Sequence, residues 1–205
     1  MANVSQKAKK AKRKRIINAN ECKSDLNQHL KLLFEGFWRA VKYYENEIAF
    51  TPFHARGRGM EASYLNSKII QSMQEVFQGD WKFGKYKRFM LRLNGYIVFF
   101  KKLNRKNMPM NIQTRLSSSI QNQEQGKLFD ECDNGAEPII FFGYNKNQFG
   151  EIVNPRLVYI DEDKVRFTIT ENELSFRNER ALTSPPAVKK LTLRDKLNKR
   201  EGTSN

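Results

Sequence analysis

The sequence predicts an α+β protein: two N-terminal helices packed on a mostly antiparallel sheet of about five strands, between disordered basic termini. Three observations carry this. Apolar residues from Leu26 to Tyr44 recur at spacings of three and four, the period of a helix with one buried stripe. Residues 88–103 alternate around an Asn-Gly pair, the signature of a hairpin. Residues 1–15 hold seven cations and no acid, too charged and too poor in large apolar residues to pack. The expected organisation is a disordered basic arm over 1–20, a single α+β domain over 21–180 and a polar basic tail over 181–205.

The first helix opens at Ser24 or Asp25, either of which suits an N-cap, and carries Leu26, Leu30, Leu33, Phe34, Phe37, Trp38, Val41 and Tyr44 on one stripe. His29 falls inside it as an ordinary helix residue. Pro52, Gly57 and Gly59 mark a loop. A second helix places Leu65, Ile69, Met73, Val76 and Phe77 on one face, and Gly79 is suited to end it. Phe89, Leu91 and Leu93 then alternate toward a core. Asn94-Gly95 makes a two-residue turn, which sets Leu93 opposite Tyr96, Leu91 opposite Val98 and Phe89 opposite Phe100. Residues 104–137 are polar, with a Ser/Gln/Asn-rich centre, and read as a loop with at most one short helix. Strands return at 139–144, 156–160 and 165–170, the last two joined by turn chemistry at Asp161-Glu162-Asp163-Lys164.

Composition bounds the function. Net charge is +15 on 205 residues. It is unevenly spread: residues 81–123 carry ten cations and no acid, whereas residues 124–179 sum to −6. Two cysteines, Cys22 and Cys132, are too few for a disulfide framework or a zinc cage, and two histidines argue against a multi-histidine metal site. The expectation is a reduced, cytoplasmic protein with no cofactor and no membrane segment, since no apolar run approaches the roughly 18 residues a spanning helix needs. No Gly-x-Ser-x-Gly, His-Glu-x-x-His or Gly-x-Gly-x-x-Gly element occurs.

The hairpin's second face is the main binding candidate. The register sets Arg88 opposite Lys101, Met90 opposite Phe99 and Arg92 opposite Ile97, with Lys87 opposite Lys102 near the open end on the core side. Facing cations destabilise a ladder unless something neutralises them, and phosphate is the obvious partner. Arg88, Arg92, Lys101 and Lys102, beside Phe99 and Tyr86, would suit backbone contact with base stacking on DNA or RNA. The bland alternative is that these side chains extend into water or pair with acids from the last third. Arg56-Gly57-Arg58-Gly59, leading into the second helix, is a second anion candidate through its glycines and helix N-terminus, although it lacks the Gly-Lys-Ser/Thr ending of a P-loop. Catalysis has thinner support. Asp130, Glu131, Asp133 and Glu137 could serve a metal nuclease, but no acid accompanies Lys101 or Lys102 on their strand. His54 with Arg56 and Arg58 could serve a metal-free ribonuclease.

Several short motifs occur in order: Arg56-x-Arg58, a helix ending at Phe77, Arg88-Phe89-x-Leu91, Tyr96 to Asn104, Asn111-Ile-Gln-Thr114, Phe142-Gly-Tyr144 and Gly150-Glu-Ile152. This order resembles an uncharacterised family of small bacterial and prophage proteins, often encoded beside helix-turn-helix regulators, over about residues 50–170. The resemblance implies a regulatory or phage-conflict role and a helix-turn-helix protein partner, and assigns no residue a task. The leading expectation is a nucleic-acid-binding accessory or regulatory protein that contacts phosphates through the hairpin and the N-terminal arm. A protein-interaction module and a nuclease are the alternatives.

Overall fold

A computed structural model describes residues 15–57, 59–124 and 137–174, all within one compact unit, Met1–Leu174. Helix α1, Ala19–Asp25, is capped by Asn18, whose side-chain oxygen accepts the Glu21 N–H at 2.9 Å. The chain bends at Leu26 and continues as α2, Asn27–Ile48. The helical region therefore opens before Ser24 and Asp25. Asp25 instead accepts the Tyr96 hydroxyl at 2.7 Å and Arg15 at 3.0 Å. Residues 15–20, at the end of the stretch read as an arm, join the domain, with Ile17 buried in the core. Residues 1–14 and 175–205 lie outside the described residues.

After a 3-10 turn at Phe53–Ala55, α3 runs Met60–Val76 against α2. Gly36 permits the close approach, since a Cβ there would sit 3.3 Å from the Met73 and Val76 side chains. The Ser72 hydroxyl fills the contact, donating to the Gly36 carbonyl at 2.7 Å while receiving Arg39 Nε at 3.0 Å.

Six strands form one sheet in sequence order: β1 Trp81–Gly84, β2 Arg88–Leu93, β3 Tyr96–Lys102, β4 Ile139–Lys146, β5 Ile152–Asp161 and β6 Lys164–Thr170. The fold is α+β, with one strand more than expected, β1. The hairpin register is the expected one: Leu91 pairs with Val98, Arg92 with Ile97 and Leu93 with Tyr96. Asn94 and Gly95 both take positive φ, as a tight turn between twisted strands requires. Four pairings are antiparallel and β3–β4 is parallel. A parallel neighbour demands a long crossover, and residues 103–138 supply it.

That crossover determines the architecture. It carries α4, Arg115–Gln121, whose Thr114 and Ser117 form a reciprocal capping box. One sheet face, with Leu91, Val98, Phe100, Phe142 and Leu157, packs on α1, α2 and α3. The opposite face, with Met90, Ile97, Phe99, Phe141 and Val158, packs on α4 and its flanks. The polar centre of the crossover is thus a covering layer, and its polar groups serve the sheet. Gln123 is buried, accepts the Ile139 N–H at 2.7 Å and donates to the carbonyls of Ile139 and Ile160 at 2.9 and 2.6 Å. Gly143 makes room for Leu103 at the start of the crossover, because a Cβ there would fall 2.3 Å from Leu103 Cδ1.

Candidate anion-binding site

Burial of the second sheet face revises the expected site residue by residue. Phe99 is 1% exposed, its ring beside Phe141 at a centroid distance of 6.2 Å, so it offers no face to a base. Arg92 forks onto Glu137, with Nε to Oε2 at 3.1 Å and Nη2 to Oε1 at 2.8 Å. Arg56 holds the loop after α2: it donates to the Ile48 and Thr51 carbonyls at 3.2 and 3.0 Å and to Glu61 at 3.1 Å. Glu61 also receives Lys146 at 3.0 Å, and these two cations keep its carboxyl below the ordinary range, Lys146 the more strongly. Arg58 lies outside the described residues. Lys102 closes β3 opposite Tyr144, and its carbonyl accepts the Met110 N–H at 2.8 Å.

Arg88 and Lys101 remain, and the fold brings them together. Past the last β2–β3 pair, Leu91–Val98, Arg88 and Lys101 line one cavity and, beside Phe99, one narrow gap. Both are partly buried, and among the described residues neither side chain has a hydrogen bond or an ion pair. Burial lowers the Arg88 pKa; burial first, then repulsion from Arg88, lowers that of Lys101. They line a cavity of about 180 Å³ together with Lys87, Tyr86 and, from α3, Asn66 and Ile70. Three cations and no carboxylate or imidazole line it. Its chemistry is accordingly that of holding an anion.

The backbone around the cavity is unusual. The β1–β2 connection, Lys85–Lys87, carries two successive left-handed residues, Tyr86 at φ 58° and Lys87 at φ 53°. Non-glycine residues there cost about 1–3 kcal/mol each and are over-represented at ligand clamps. The turn leaves Lys87 outside the ladder, so it does not face Lys102, and leaves the Tyr86 ring 79% exposed with Lys85 Nζ 6.0 Å from its centroid.

Strand β1 adds Trp81 and Phe83, exposed aromatics with ring centroids 5.8 Å apart, and Phe83 rests edge-on against Phe89. The sequence reading missed them. The signal was present in Trp81-Lys82-Phe83-Gly84-Lys85-Tyr86-Lys87, where aromatics and lysines interleave at a strand's period of two. Of the nuclease candidates, Glu137 is held by Arg92, His54 sits exposed in the 3-10 turn, and Asp130, Glu131 and Asp133 lie outside the described residues. Among the described residues no three His, Cys, Asp or Glu side chains gather as metal ligands, and no helix is long and apolar enough to cross a membrane.

The site and fold thus define an α+β domain with a partly desolvated cationic cavity beside exposed aromatics. None of the protein families, curated proteins or solved structures compared with the chain matches it.

Proposed function

We propose that this protein binds single-stranded nucleic acid as an accessory or regulatory factor, holding phosphate at Lys87, Arg88 and Lys101 while Tyr86, Phe83 and Trp81 offer rings for bases to stack on. The observation that carries this reading is the Arg88–Lys101 couple, without an ion pair among the described residues. Partial burial of two like charges is unfavourable by itself and becomes favourable when an anion supplies the missing charge. Exposed aromatics at the same sheet edge favour unpaired strands, because only splayed bases reach a stacking surface. The cations of residues 1–14 add non-specific attraction, and the net charge of +15 steers polyanions toward the chain. A regulatory role beside a helix-turn-helix protein, as the family resemblance implies, is compatible with this chemistry.

Titration of labelled single- and double-stranded DNA and RNA at several salt concentrations tests the proposal. Single strands should bind more tightly, with affinity falling steeply as salt rises. Charge reversal at Arg88 and Lys101 should weaken binding more than deletion of residues 1–14, because cations already fixed in a cavity lose little entropy on binding. Normal binding by the reversal variant, with binding abolished by the deletion, would reject the folded domain as the reader.

A second reading, a protein-interaction module, is favoured by one observation. Phe50, Phe53 and Phe149 are 87%, 81% and 78% exposed. The Lys146–Glu61 ion pair brings the strand leading to Phe149 to the start of α3. Recovery of one stoichiometric protein partner from nuclease-treated lysate, lost on substituting Phe50 and Phe53, would favour it.

A further inference from the structure

A second and larger cleft, about 740 Å³, opens on the α4 face of the sheet, between the 104–113 segment, Gln121 and the β5–β6 turn at Asp163. That volume falls within the roughly 300–1,000 Å³ of small-molecule sites. Its chemistry differs from that of the cationic cavity. Met108, Met110 and Ile112 give it apolar surface, while Asn111, Gln113 and Gln121 give it amides. Asn104 also lines it, but its oxygen is engaged, accepting the N–H groups of Lys106 and Met108 at 2.8 and 3.0 Å. Gln121 is different: it is 4% exposed overall, and its side chain lines the cleft. An amide at the wall of a cleft offers a donor and an acceptor to whatever enters it. The two sites are also contiguous. Asn111, on the wall of the cleft, also lines a gap of about 10 Å³ whose other walls include Arg88 and Lys101.

We infer that this cleft is a nucleobase subsite, receiving an unstacked base of the strand whose phosphate lies at Arg88 and Lys101. Amides are donors and acceptors together and match the paired edges of bases, while Met and Ile side chains pack on the faces of the ring. The inference rests on the phosphate reading above and adds base selectivity to it: the cations hold any strand, and the cleft distinguishes among bases.

The test uses the full chain with labelled eight-nucleotide homopolymers of each base, measured for wild type, Asn111→Ala/Gln113→Ala and Gln121→Leu, with melting temperature as the folding control. Asn111 and Gln113 are exposed, so the double variant should fold normally. Wild type should prefer one base by roughly tenfold or more, the discrimination expected of one good amide–base pair. Both variants should lose most of that preference while keeping the salt dependence of binding. Equal affinity for all four homopolymers, or a preference unchanged in the double variant, would overturn the base subsite and leave the phosphate reading standing. Failure of every homopolymer to bind would overturn both.

Discussion

Arg88 and Lys101 line one cavity at the open end of the β2–β3 hairpin, partly buried, and no carboxylate meets either among the described residues. Removing one charge should therefore relieve the fold. Arg88→Met and Lys101→Met should each raise the melting temperature by about 2–4 °C, what roughly 1 kcal/mol yields in a domain of this size, while nucleic-acid affinity falls at least about tenfold. Calorimetry beside titration checks both. A lowered melting temperature would mean that the pair is stabilised within the protein.

The lowered pKa of Lys101 has a sign that can be tested. Its folded-state value lies below its unfolded value. The folded state thus binds fewer protons between the two, and stability should rise with pH across that window; the cost of the charge is fully present below the folded value. Binding should follow the opposite course, since the anion needs the charged amine. Affinity for an adenine homopolymer should fall as pH rises, with its midpoint below the ordinary lysine value of about 10.4. In Lys101→Arg the loss should move to higher pH. A midpoint unchanged by that substitution would remove Lys101 from the contact.

Two aromatics assigned the same task by the sequence should separate cleanly. Tyr86, exposed beside the cavity, should lose about 1–3 kcal/mol of binding as Tyr86→Ala with no loss of melting temperature. Phe99, buried against Phe141, should cost about 3–5 kcal/mol of stability as Phe99→Ala. Denaturant titration distinguishes the two. An unaltered stability for Phe99→Ala would contradict its place in the core.

Arg56 should prove structural. Its guanidinium serves the Ile48 and Thr51 carbonyls and Glu61, so Arg56→Ala leaves several acceptors without their donor. A loss of about 1–3 kcal/mol is expected, with the salt-dependent affinity of the folded protein unchanged. A selective loss of affinity at full stability would return Arg56 to the binding surface.

Gly143→Ala tests the crossover packing. The added Cβ meets Leu103 Cδ1, Cγ and Cδ2 at 2.3, 2.4 and 2.7 Å, and Leu103 is buried. A cost of about 1–3 kcal/mol is expected. Leu103→Ala should recover part of it in the double variant, measured as a double-mutant cycle. Strictly additive losses would show that the two side chains do not collide.

Elements whose cause is local were legible before folding. The helical stripe from Leu30 to Tyr44, the Asn94-Gly95 turn and the register it imposes from Leu93–Tyr96 to Leu91–Val98 follow from neighbours a few residues apart. Tertiary structure alone decided what covers each face. Alternation in Met90, Phe99 and Ile97 marked a second face, but the segment that buries it, 104–124, is polar because Ser117 caps its own helix locally and Gln123 satisfies strand ends at Ile139 and Ile160, 16 and 37 residues away. The same separations place Glu137 on Arg92 and draw Asn111 beside Lys101. Net charge told where cations are; only the packing decided which of them, among the described residues, meet a carboxylate, as Arg92 and Arg56 do, and which, as Arg88 and Lys101, do not.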